Sequence, residues 1–109
     1  MTIIHIVMFE FKPNTEKATI DDVCTRILAL EKKCIHPESK QPYIKAASGG
    51  KQNNPEPVAV YQYGFVIEFE SLEDRDYYLN KDPAHLEFKK SVKEFGVKVG
   101  CLDFAPGVF

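Results

Sequence analysis

The stretch Val58-Ala59-Val60-Tyr61-Gln62-Tyr63-Gly64-Phe65-Val66-Ile67-Glu68-Phe69-Glu70, followed by Ser71-Leu72-Glu73-Asp74 and then by Asp82-Pro83-Ala84-His85-Leu86-Glu87-Phe88, decides how this chain folds. Its first part alternates, with Tyr61, Tyr63, Phe65, Ile67 and Phe69 on one face and Val60, Gln62, Gly64, Val66 and Glu68 on the other. That is the period of a strand with one aromatic side. Ser71-Leu72-Glu73-Asp74 has the form of a capping box with a shorter acid and starts a brief helix through Tyr77 and Tyr78. After Asn80-Lys81 a second helix begins, with Asp82 as N-cap and Pro83 as first helical residue, where a missing N–H costs nothing. His85, Phe88 and Val92, extended by Phe95, share one side of it, and Gly96 ends it.

On the N-terminal side, Thr2 to Lys12 reads as a central or doubly covered strand, with Val7, Phe9 and Phe11 on one face and Met8, Glu10 and Lys12 on the other. Pro13-Asn14-Thr15 breaks it. Ile20, Val23, Ile27 and Leu30 then recur at helical spacing, which predicts a long amphipathic helix ending near Cys34, before His36-Pro37. Tyr43 to Ala47 carries a weak strand signal, and Ser48 to Pro57 reads as a flexible loop. Val97 to Phe104 reads as the last strand. The order strand, helix, strand, strand, helix pair, strand is the split βαβ, ferredoxin-like plan of an α+β protein, a four-stranded antiparallel sheet with helices on one side. Residues 1–109 are expected to form one domain. Ile4, Ile6, Met8, Val60 and Val66 make the sheet's other face apolar, which predicts a homodimer packed sheet against sheet.

A net charge of −2 with mixed Lys and Glu offers no basic stripe, so neither nucleic acid nor an anionic membrane is an expected partner. No apolar run reaches membrane-spanning length, and Thr2 to Met8, interrupted by His5 and without a basic leader, does not resemble a secretory signal. A cytoplasmic protein is expected. Cys24, Cys34 and Cys101 are odd in number and widely spaced, and read as reduced, mostly packed thiols.

His85 carries the main chemical interest. In the first turn of a helix the dipole favours neutral imidazole, which is then ready to accept a proton. The competing reading is an ordinary first-turn polar residue half in solvent, and the residues alone leave the two about even. His5 alternates in phase with Val7, Phe9 and Phe11, so it is either a satisfied core histidine, which composition favours, or a partner of His85 across an aromatic-lined pocket. Tyr77 or Tyr78 can donate a hydrogen bond to a developing oxyanion, with a slight preference for Tyr78; otherwise both cover the sheet edge. The three histidines form no local metal-binding pair, and a metal site built from His5, His85 and a carboxylate is a minor alternative. No phosphate loop, dinucleotide fingerprint or nucleophile elbow is present, and a thiol pair of Cys101 with His85 ranks below simple packing of Cys101.

Four separated segments resemble one family: Ile4 to Lys12, Phe65 to Ser71, Asp82-Pro83-Ala84-His85 with Phe88, and Leu102-Asp103-Phe104. The chain resembles the stress-responsive A/B barrel (Dabb) proteins, which implies a dimeric α+β barrel. That family includes boiling-stable plant proteins without established catalysis and a plant polyketide cyclase of the olivetolic acid type, which performs an aldol condensation without metal or cofactor. The resemblance implies His85 as general base and His5 as a second pocket histidine, with Tyr78 an imperfect match to the cyclase's assisting tyrosine. Tyr63 stands where the cyclase has a further histidine, and one extra residue after Tyr78 puts Leu79 at the cyclase tyrosine's spacing. Two functions are therefore expected in competition. One is a cofactor-free cyclase or lyase acting on a hydrophobic carbonyl compound, with His85 as general base, Tyr78 or else Tyr63 stabilising an enolate, and His5, Tyr63, Phe65 and Phe88 around the substrate. The other is a non-catalytic stress-response or ligand-binding dimer.

Overall fold

The computed structural model describes residues 1–56 and 60–109. Its elements are β1 (Ile3–Glu10), α1 (Lys17–Lys33), β2 (Ile44–Lys51), β3 (Tyr63–Phe69), α2 (Leu72–Asn80), α3 (Pro83–Glu94) and β4 (Lys98–Phe104). The strands form one antiparallel sheet in the order β2-β3-β1-β4. This is the ferredoxin-like α+β architecture predicted from the sequence.

β1 is central, and its strict alternation of buried and half-buried residues sends Ile3, His5, Val7 and Phe9 beneath the helices. Helix α1 closes that side with Val23, Ile27 and Leu30, and Lys32 and Lys33 in its last turn suit the negative end of the helix dipole. At the start of α2 the Ser71 hydroxyl accepts from the Asp74 amide at 3.1 Å. At the start of α3 the Asp82 carboxylate accepts from the Ala84 amide at 2.9 Å, with Pro83 in the first turn. Both caps follow the sequence reading. Each satisfies an amide that the helix itself leaves without a partner.

Four expectations are corrected. Ser48 to Lys51 are not loop but the second half of β2, paired with β3 through Gly49↔Phe65, Gly50↔Gly64 and Lys51↔Tyr63. Their polar, glycine-rich composition hides the strand because Phe65 supplies the missing side chain: its ring occupies the space that a Cβ at Gly49 would need. The aromatic strand is shorter than Val58–Glu70. Val60 lies outside it and is exposed, and Val58 and Ala59 fall outside the described residues. Tyr61 does not share the helix-side face, because its hydroxyl sits 2.5 Å from where a Cβ of Gly100 would be, and Gly100 pairs with Met8 on the opposite face. Finally, Phe95 is exposed just past the end of α3, so the buried stripe stops at Val92.

The face of the sheet away from the helices carries Ile4, Ile6 and Met8 half-buried, with Val66, Leu102 and Phe104 exposed. No helix among the described residues is long and apolar enough to cross a membrane.

Candidate active site

Helix α3 leans on α1 and α2, leaving a gap towards β4. The gap is a cavity of about 590 Å³, floored by His5, Val7 and Phe9 of β1 and walled by α3 and β4. This volume lies in the range of small-molecule sites.

His85 is placed by the tight joint between α2 and α3. Helix α2 ends at Asn80, so the carbonyls of its last turn lack intrahelical donors. The Tyr77 carbonyl takes the Lys81 and Asp82 amides. The Tyr78 carbonyl instead meets His85 Nδ1 at 2.7 Å. A carbonyl only accepts, so Nδ1 donates and carries the proton, and neutral His85 keeps its lone pair on Nε2. The two rings also stack, with centroids 3.8 Å apart and planes 18° from parallel. His85 is buried at 7% exposure, not half in solvent. Burial is the main cause lowering its pKa to about 4; the Tyr78 carbonyl opposes this, Lys89 and His5 push it further down, and Asp82 pushes it up.

His5 enters the same cavity from β1. Its Nδ1 faces Asp103 Oδ1 at 2.6 Å, and Asp103 Oδ2 accepts from Arg75 Nη1 at 2.8 Å. The strand register sets this contact, since His5 and Asp103 are directly opposed in the β1–β4 pair. With the carboxylate accepting, His5 Nδ1 also carries its proton. Arg75 is held from behind by Asp76, which accepts from its Nε at 2.8 Å.

Tyr78 lies between the histidines, its ring edge-on to His5 at 5.9 Å and stacked on His85. Burial first, then the neighbouring Cys34, Asp82 and Cys101, raise its pKa, so the phenol stays protonated as a donor. Tyr77 turns away into a separate cleft beside His36 and Asp82. Phe88 lines the main cavity. Phe65 and Tyr63 do not: Phe65 is core packed on Phe9 at 5.5 Å, and Tyr63 lies edge-on to Phe11 at 5.6 Å. Cys101 is exposed and lines the cavity, not packed as its apolar sequence neighbours predict. Among the described residues no group of three or more His, Cys, Asp or Glu is arranged to hold a metal ion.

A family model for the stress responsive A/B barrel domain matches residues 3–106. The chain belongs to the stress responsive A/B barrel (Dabb) family. Its fold is close to that of At3g17210 from Arabidopsis thaliana, 26% identical over 98% of this chain and 97% of that one, with a TM-score of 0.77. A hydroxynitrile lyase from Passiflora edulis is 20% identical over 99% and 96% of the two chains, with a TM-score of 0.76. A point mutant of SnoaB, a cofactor-independent oxygenase from Streptomyces nogalater, is 11% identical over 99% and 95%, with a TM-score of 0.69. These last two share the fold alone. No curated protein matches the chain.

Two residues of the hydrogen-bond network behind His5 escape sequence reasoning, Asp103 and Arg75. Asp103 is 98 residues from His5, and nothing local ties them. The available signal is phase: on β4, Val99, Cys101 and Asp103 alternate onto the cavity side, so a carboxylate falls where apolar residues are due and needs a partner. Arg75 has no such signal, because a charged residue on a short helix is ordinary.

Proposed function

We propose that this Dabb domain binds a hydrophobic carbonyl compound in the cavity beside α3 and that His85 Nε2 takes a proton from it. The observation that carries the reading is the bond from His85 Nδ1 to the Tyr78 carbonyl, which fixes the tautomer and leaves Nε2 free as a base in a cavity-lining ring. Loss of a proton beside a carbonyl gives an enolate, and the protonated Tyr78 phenol is the donor suited to it. His5, held by Asp103, orients the substrate on the opposite wall, and Phe88 covers its apolar part. Aldol-type cyclisation begins with such a proton transfer, whereas a lyase that cleaves a bond of that kind has its base take the hydroxyl proton; a hydroxynitrile lyase shares the fold. No cofactor is required by this step.

The test is deuterium exchange at the α-carbon of hydrophobic ketones in D2O, with wild type and His85→Ala compared. Exchange that depends on His85 supports the base. Binding detected by thermal shift without exchange would replace it with a second reading, a non-catalytic ligand-binding protein. That reading has an observation of its own, since an imidazole whose pKa is lowered to about 4 is a weak base near neutrality.

We also propose that two copies pair through the open sheet face, where Ile4, Ile6, Met8, Val66, Leu102 and Phe104 adjoin one another by register. Three solved structures with this fold, from Bacteroides fragilis, Thermobifida fusca and a Jannaschia species, are described as dimeric. The pairing leaves the cavity open, because the cavity lies on the helix side. A cytoplasmic location fits the reading.

A further inference from the structure

The cavity is lined by two kinds of polar group. His5, Tyr78 and His85 are buried, while the exposed Lys89, Lys90 and Lys93 follow His85 along α3 and share the groove with Val97, Val99 and Cys101 on the β4 side. The chain has 16 Asp and Glu residues against 14 Lys and Arg, yet among the described residues no Asp or Glu lines the cavity, and Asp103, on its β4 side, is already engaged by His5 and Arg75. A net acidic protein has thus gathered three lysines around one largely apolar groove, whose one neighbouring carboxylate, Asp103, is already paired. A helix face exposed only to water carries no such constraint, and acidic neighbours at Glu87 and Glu94 show that α3 has them elsewhere on its surface. Lys89 also acts inward, since its charge depresses protonation of both His85 and Cys101.

Resting on the reading of this cavity as a ligand site, we propose that its ligand is an anionic amphiphile, an apolar carbonyl compound whose acidic group is held at the rim by Lys89 and Lys93. The apolar body then runs along Val99 and Phe88, and the far end meets the histidines. A neutral compound of the same length fills the groove but leaves the lysines in water. The preference is electrostatic and weakens with salt, because the rim is exposed.

The experiment compares decanoate with decanol by calorimetric or NMR titration of the full chain. The proteins are wild type and the double variant Lys89→Ala with Lys93→Ala, at low and high sodium chloride. Wild type should bind decanoate roughly tenfold more tightly than decanol at low salt, an advantage that shrinks at high salt. In the double variant the two affinities should converge, and the salt dependence of decanoate binding should disappear. Equal affinities in wild type would overturn the anionic ligand while leaving the cavity a ligand site. Binding of neither probe would overturn the ligand-site reading and this inference with it.

Discussion

The His85 imidazole stacks on the Tyr78 ring at 3.8 Å and bonds through Nδ1 to the carbonyl of that same residue at 2.7 Å. Each contact holds the other in place, so ring plane and tautomer are set together. A carbonyl stranded at the end of α2 becomes the element that orients the first turn of α3. The family resemblance puts Leu79 at the spacing of an assisting tyrosine, yet both Tyr78 and Leu79 line the cavity, and it is Tyr78 that meets the histidine.

Folded His85 resists protonation down to about 4, against an ordinary value of 6.5, so between these limits the unfolded chain binds the extra proton. The stability His85 contributes is therefore complete above pH 6.5 and is lost as the pH falls towards 4, by at most about 3 kcal/mol. Urea unfolding across that range should show wild type losing more stability than His85→Phe, which keeps the stack without titrating. Parallel pH curves would refute the assignment.

Asp103→Asn should loosen the proton on His5 Nδ1 while keeping the side chain's shape. The amide is a weaker acceptor and no longer pairs with Arg75 as a charge, for a cost of about 1 kcal/mol. Nitrogen NMR of the imidazole should show the Nδ1-protonated form falling in the variant. An unchanged tautomer ratio would mean that Asp103 does not control His5.

Asp82 is 1% exposed, and its carboxylate accepts from both the Ala84 amide and the Tyr43 hydroxyl. Asp82→Ala removes the α3 cap and leaves a buried phenol without its partner, so a loss of about 2–4 kcal/mol is expected in chemical denaturation. Asp82→Asn, which retains an oxygen for the cap, should lose less. Similar losses for the two would show that capping is not what Asp82 contributes.

On the open sheet face, Ile6 lies directly opposite both Leu102 and Val66. Ile6→Glu should turn a dimer into a folded monomer by sedimentation, with helical circular dichroism retained, because the substitution points away from the core. Monomeric wild type at micromolar concentration would end the dimer proposal.

Much of the fold is legible in the sequence because it is written in local periods. The alternation from Phe65 to Phe69, the spacing of Val23, Ile27 and Leu30, and the caps at Ser71 and Asp82 each depend on neighbours within a few residues. Half of β2 escapes because Gly49 carries no side chain to show its phase, and the ring that fills its place belongs to Phe65 on another strand. Tyr61 falls on the wrong face when the alternation is extended beyond the point where pairing ends.

The sequence by itself determined that a histidine opens a capped helix and that another sits on the buried phase of β1. Only the tertiary structure decided that Tyr78 fixes the tautomer of one and Asp103 that of the other, and that Tyr63 and Phe65 stay in the core. Period and capping are properties of adjacent residues, whereas register and helix packing join residues far apart in the chain, and a proton's position depends on that packing.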